Sequence, residues 1–144
     1  MKQGFVKVAS ATPRIRVADP VYNAQVICEQ AKEAAEHGAK IVVFPELCIT
    51  GYTCNDLFLQ ELLLEKAKEA LLTIAEETGQ LETLFLVGLP VDKDGRLYNV
   101  AAVLYRGRIL GMIPKKNIPM YAEFYEGRHF TPGELSLIHI SEPT

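Results

Sequence analysis

Apolar and polar positions alternate along this chain with two different periods, and the changes between them mark its elements. Phe5-Val6-Lys7-Val8-Ala9-Ser10-Ala11 alternates apolar with small or polar side chains and stops at Thr12-Pro13, which reads as a first strand. Asp19-Pro20 then offers a carboxylate to cap free N–H groups and a proline already at its helical φ. Ala24, Ile27, Ala31, Ala34 and Ala35 follow at spacings of three and four, and Gly38 stands where a left-handed terminal residue is wanted, predicting a helix of about five turns. Lys40-Ile41-Val42-Val43-Phe44 is a β-branched and aromatic run suited to a strand covered on both faces, ending at Pro45-Glu46. A second helix is predicted from about Leu57 to Thr78, with Leu62, Leu63, Lys66, Ala67, Ala70, Leu71, Ile74 and Ala75 giving a broad apolar face and Gly79 closing it. Leu84 to Gly88 repeats the buried-strand pattern and Asp92-Lys93-Asp94-Gly95 is a turn. Two further strands, Leu97 to Tyr105 and Ile109 to Pro114, flank Arg106-Gly107-Arg108 as a hairpin.

The order β-α-β-α-β-β-β predicts an α/β protein with a mixed sheet, its helices on one face and the other face free to pack on a second sheet. Composition agrees with that class. Of 144 residues, 49% are hydrophobic and 23% charged, and the net charge of -3 offers no basic field for a nucleic-acid partner. No apolar stretch approaches the roughly 20 residues of a membrane helix, and the first residues lack a signal-peptide pattern, so the expectation is a cytoplasmic chain with no membrane partner. Cys28, Cys48 and Cys54 are an odd set without CxxC spacing, which predicts reduced thiols and no metal site. No GxGxxG or Walker-type GKS or GKT occurs, so the chain itself is not expected to hold a dinucleotide or ATP.

Three segments combine residue types that carry chemistry: Phe44-Pro45-Glu46-Leu47-Cys48-Ile49-Thr50-Gly51-Tyr52, Pro114-Lys115-Lys116-Asn117-Ile118-Pro119-Met120-Tyr121, and Glu123-Phe124-Tyr125-Glu126-Gly127-Arg128. Glu46 falls at the carboxyl end of a buried strand, where α/β sheets place ligands, and there a carboxylate can act as a general base. A lysine at the end of the 109–114 strand can meet it across the sheet edge, where an ammonium stabilises a developing oxyanion. The plainer readings are a strand-end carboxylate facing water, a solvated loop lysine at 115 or 116, and ordinary packing aromatics at 121, 124 and 125. Cys48 and Cys54 read as buried small hydrophobes.

Phe44-Pro45-Glu46 with Gly51-Tyr52, and the Lys-x-x-Ile-Pro spacing of Lys115 to Pro119, resemble the glutamate and lysine motifs of the nitrilase, or carbon-nitrogen hydrolase, superfamily. Within it, Asp56-Leu57-Phe58-Leu59-Gln60 and the stretch from Pro119 to Glu126 are similar to the amino-terminal glutaminase domain of glutamine-dependent NAD synthetases. The resemblance implies an α-β-β-α sandwich of which about the first half is present, in residues 1–134. It implies Glu46 as general base, Lys115 as support for the tetrahedral intermediate, Glu126 as a second carboxylate, and Tyr52, Tyr121 and Phe124 along the glutamine pocket or ammonia route. The family nucleophile, a cysteine beyond the lysine, would fall after Thr144, so the polypeptide is expected to be inactive by itself. Glutamine is the implied substrate. ATP and Mg belong to a synthetase domain further along such chains, and the whole enzyme is expected to be a homo-oligomer. A stand-alone amidase or carbamoyl-amine hydrolase, and a non-catalytic module that keeps the pocket, are the competing expectations. Residues 135–144, Leu135 to Thr144, leave the family pattern and resemble an in-frame translation of a sequencing adapter, so they are expected to be a non-native tail.

Overall fold

The computed structural model of the protein describes residues 4–51 and 61–115. Its elements follow the order that the periodicity predicts: β1 (Val8–Ser10), α1 (Pro20–Glu36), β2 (Ile41–Val43), α2 (Glu61–Glu77), β3 (Leu84–Lys93), β4 (Arg96–Tyr105) and β5 (Arg108–Pro114). The strands form one five-stranded sheet in chain order. β1, β2 and β3 run parallel, and β3, β4 and β5 are antiparallel neighbours. The parallel half needs crossovers, which α1 and α2 supply, whereas the antiparallel half needs only tight turns.

Local chemistry sets the ends of these elements. Asp19 caps α1 by accepting the Tyr22 N–H at 3.1 Å, and Pro20 is the first helical residue. Gly38 follows α1 at φ 88°, donating its N–H to Ala35 O at 3.0 Å. Both hairpins are two-residue loops closed by Lys93↔Arg96 and Tyr105↔Arg108. Their central residues, Asp94-Gly95 and Arg106-Gly107, all have positive φ, the backbone sense that suits the twist of paired strands.

Two predicted boundaries change. The first strand shrinks to Val8–Ser10, the part that faces β2. β3 runs on past Gly88 to Lys93 because it pairs with β4 along its whole length. Pro90 does not interrupt it, for a reason that the backbone gives. Leu86 O accepts from Phe44 N–H and Gly88 O from Ile49 N–H, so the even-numbered residues of β3 point their backbone groups away from β4. Pro90 belongs to that set, and its missing N–H costs the β3–β4 ladder nothing. The predicted start of the second helix, residues 57–60, lies outside the described residues.

The registers sort the sheet into two faces. One carries rows such as Val42–Phe85–Leu104 and Val87–Ala102–Met112, all buried, and packs on Ile27, Ala31, Ala67, Leu71 and Ile74 of the two helices. The other carries Val43–Leu86–Val103 and Gly88–Ala101–Ile113, and no described element covers it. Val8, Val43 and Ile113 on that face are 62%, 44% and 41% exposed.

Candidate active site

After β2 the backbone stays beside β3 through Phe44 N–H, which donates to Leu86 O at 2.9 Å, and the Pro45-Glu46-Leu47 turn then crosses over β3 at Gly88. The crossing is backbone on backbone. A Cβ at position 88 would lie 2.5 Å from Leu47 N and 2.7 Å from Pro45 O, so only glycine leaves the room. Leu47 takes φ 52°, a left-handed conformation that is costly for a leucine, and is held there by burial against Leu63 and Leu97. The turn closes with Gly51 N–H donating to Leu47 O at 2.7 Å and Ile49 N–H to Gly88 O at 3.2 Å.

A buried amide ties this turn to the helical layer. Asn23, in the first turn of α1 and fully buried, accepts from Arg16 N–H at 2.6 Å and donates to Arg16 O at 2.7 Å and Ile49 O at 2.8 Å. With Ala18 N–H donating to Thr50 O at 2.7 Å, the loops that follow β1 and β2 are joined to each other and to α1. Each bond of this kind contributes about 1 kcal/mol, and removing one partner of a buried set costs more.

Lys115 follows the last residue of β5 and keeps the ladder going for one more bond, its N–H donating to Asn99 O at 2.7 Å. Its ammonium Nζ lies 2.5 Å from Glu46 Oε1. The structure therefore brings together the two residues that the sequence singled out for acid–base and electrostatic roles, from loops on β2 and β5. The side chains are 26% exposed for Lys115 and 36% for Glu46, so the pair is partly withdrawn from water yet open to a ligand. It stands at the rim of a cleft of about 320 Å³ whose floor includes Gly88, Asn99, Ala101 and Ile113. That cleft lies on the uncovered face of the sheet. A larger hollow of about 570 Å³ lies between α1 and α2, but its closest charge pair, Lys32 and Glu77 at 3.1 Å, is half exposed and reads as a solvated bridge between helices.

The described cysteines offer no alternative nucleophile. Cys48 is buried and points its thiol at Gly88 O, 3.7 Å away, and burial pushes it up to about 12. Burial, with help from the nearby Glu77 carboxylate, pushes the Cys28 thiol up to about 11. Both stay protonated near neutral pH, as inert structural thiols do. Among the described residues no group of three potential ligands could hold a metal ion, and no helix is long and apolar enough to cross a membrane. Tyr52, Cys54, Tyr121, Phe124 and Glu126 lie outside the described residues, as does the 135–144 tail. Sequence reading missed Gly88, Asn23 and Asn99 as parts of the site. The glycine inside a buried-strand run was a legible sign of close backbone approach. An asparagine within a helix, and one within a strand, carry no comparable signal.

The model of the carbon-nitrogen hydrolase family matches residues 7–142. A glutamine-dependent NAD(+) synthetase of Mycobacterium tuberculosis is 40% identical over 133 residues, which cover 92% of this chain and 20% of that protein. The crystal structure of a glutamine-dependent NAD(+) synthetase from Cytophaga hutchinsonii superposes with a TM-score of 0.83 at 31% identity, covering 88% of this chain and 22% of the other. An amidase from Nesterenkonia sp. superposes with a TM-score of 0.75 at 25% identity, covering 93% of this chain and 50% of the amidase. A variant of that amidase carries acrylamide joined to an active-site cysteine by Michael addition. The chain thus spans about a fifth of the length of the NAD(+) synthetases and half that of the amidase.

Proposed function

The chain belongs to the carbon-nitrogen hydrolase family, and on that premise we propose that it forms part of a glutaminase that feeds ammonia to NAD synthesis. The observation that carries the reading is the contact between Glu46 and Lys115, 2.5 Å apart at the mouth of a cleft. Identity of 40% to an NAD(+) synthetase supports glutamine as the amide substrate.

In this reading a cysteine from the part of the complete protein that follows Lys115 supplies the nucleophile. Glu46 takes the thiol proton, and the thiolate sulfur attacks the side-chain carboxamide carbon of glutamine. The carbonyl oxygen becomes an oxyanion, and the Lys115 ammonium stabilises it through charge and a hydrogen bond. Collapse breaks the C–N bond, the proton on Glu46 goes to the leaving nitrogen, and ammonia departs from a thioester. Water then attacks the thioester with Glu46 again taking its proton, which frees glutamate and the thiol. By family resemblance, Glu126 is assigned as a second carboxylate that positions the substrate and Lys115, and Tyr52, Tyr121 and Phe124 are assigned to the glutamine pocket or the ammonia route. ATP and Mg act in a separate synthetase domain of the complete protein, which adenylates and amidates nicotinic acid adenine dinucleotide.

The test uses the complete protein and two nitrogen sources. Glu46→Gln is expected to abolish NAD formation from glutamine and to leave formation from free ammonia intact. Equal loss with both sources would make Glu46 a structural residue. Release of ammonia from glutamine with no NAD formed from either source would favour the stand-alone amidase reading.

A further inference from the structure

We propose that Leu63 and Leu97 are positioning residues of this site, clamping Leu47 in its left-handed conformation and through it holding Glu46 against Lys115; the assignment rests on reading those two charged residues as the catalytic pair. Among the described residues, four that are not glycine have positive φ: Ala18, Leu47, Asp94 and Arg106. Asp94 and Arg106 stand in the two hairpin turns, which want that sense of backbone. Ala18 at 56° and Leu47 at 52° have no hairpin to account for them, and they meet in one place. Leu47, Leu63 and Leu97 form a buried cluster of their own, with Ala18 and Leu64 packed against it, apart from the main core between sheet and helices. Its members come from separate parts of the chain: Leu63 from the first turn of α2, Leu97 from the start of β4 opposite Asp92, and Ala18 from the loop that leads into α1.

The place of Leu47 in the chain gives this cluster its consequence. A leucine left to itself avoids the left-handed region, where its Cβ crowds the backbone. The chain is held on both sides of it, by Phe44 N–H on Leu86 O and by Ile49 N–H on Gly88 O. Leu47 therefore leaves that region only by turning as a unit, its side chain out of the cluster and the Glu46 peptide with it. Such a turn would swing the carboxylate off its place beside Lys115, which is set independently by the Lys115 N–H on Asn99 O at the end of β5. Burial opposes the turn. Leu47 is 1% exposed, and Leu63 and Leu97 are 7% and 9% exposed, so the three leucines close on one another. Apolar packing away from the charges thus fixes the reach of the carboxylate, a strained backbone being kept by surroundings that over-determine it.

The experiment is done in the complete protein. Leu97→Ala is expected to lower glutamine-driven kcat about 10²-fold, with KM and ammonia-fed turnover changed far less, and Leu97→Met, which nearly keeps the volume, to restore it. Leu47→Gly separates conformation from packing. Glycine takes this φ with no clamp, so the variant is expected to keep most of the turnover, and adding Leu97→Ala to it to cost only a small part of the loss seen in the parent. No loss in Leu97→Ala, a loss of the same size in both backgrounds, or a Leu47→Gly loss as large as that of Leu97→Ala overturns the proposal. Independently of activity, trace acetylation with acetic anhydride, read by mass spectrometry, is expected to modify Lys115 several-fold faster in Leu97→Ala and at the parent rate in the double variant, while Lys32 and Lys66 keep their parent rates in both. Equal acetylation of Lys115 in all of them overturns the clamp. A parent protein that does not use glutamine, with Lys115 following the expected pattern, would sink the glutaminase reading and leave the clamp standing.

Discussion

The two faces of the sheet are built from similar residues and solved in different ways. On the helix face Val42, Phe85, Val87, Leu104 and Met112 meet α1 and α2 and are 1% exposed or less, a finished core. On the other face Val8, Val43 and Ile113 are also apolar but stand in the open, and the charged pair sits at the end of that same surface. A buried face specifies the fold by close packing, which tolerates little change of volume. The open face gives access to a cleft, and its apolar residues are what a second layer would bury. Stability is therefore concentrated on one side of the sheet and the proposed chemistry on the other.

The largest effect we expect that would break this division comes from the site itself. Lys115→Ala in the complete protein should lower glutamine-driven turnover by about 10³-fold, on the order of 4 kcal/mol, and leave ammonia-fed turnover unchanged, as steady-state assays with the two nitrogen sources would read. A comparable loss of ammonia-fed turnover would mean that the open face also carries stability. Next, Ile74→Ala on the helix face should cost about 2–5 kcal/mol in urea unfolding while keeping the ratio of the two turnovers in whatever protein remains folded. A change in that ratio would show the helix layer reaching into the chemistry.

Asn23→Ala sits between the two classes, because the residue belongs to α1 but ties down the glutamate turn. We expect a loss of about 1–3 kcal/mol together with a smaller fall in glutamine-driven kcat, and a variant that loses stability alone would place Asn23 wholly with the core. Val43→Ser is the most direct probe of the uncovered surface. It should cost under about 0.5 kcal/mol while position 43 stays exposed, and about 1–3 kcal/mol in a complete protein whose second layer covers it; the two urea midpoints make the comparison.

The smallest effect at neutral pH belongs to the thiols. Their pKa is raised on folding, so the stability they contribute is complete below the ordinary value of 9.0 and is lost as pH climbs toward about 11 for Cys28 and about 12 for Cys48. Thermal unfolding followed from pH 7 to pH 11 should show a decline that begins near pH 9, and Cys28→Ala should flatten part of it.

What could be read from the sequence divides along the same line. Among the described residues, periodicity located the two helices and the five strands, because burial on the helix face imposes a period on the chain, and the turn residues located the two hairpin turns. Glu46 and Lys115 were legible because each follows a strand end and stands in a recognisable motif. Their meeting was only an expectation, since the distance between two loops depends on the sheet order and on the pairing of β4 with β5. The length of β3 was hidden by Pro90, whose tolerance follows from which way its backbone points, and that is visible only once the neighbours are known. Asn23 and Asn99 were missed because nothing local separates a buried amide from an exposed one.

Gly88 has a consequence for how such a site can vary through descent. Even the smallest side chain at that position would drive its Cβ to 2.5 Å from Leu47 N, so every single-nucleotide change that alters the residue moves the turn carrying Glu46. No neighbouring genotype retunes the turn gently. Lineages that alter the reach of this carboxylate must do so elsewhere, through the chain on either side of it or through the strand opposite, and position 88 becomes a fixed point around which the rest of the cleft can drift.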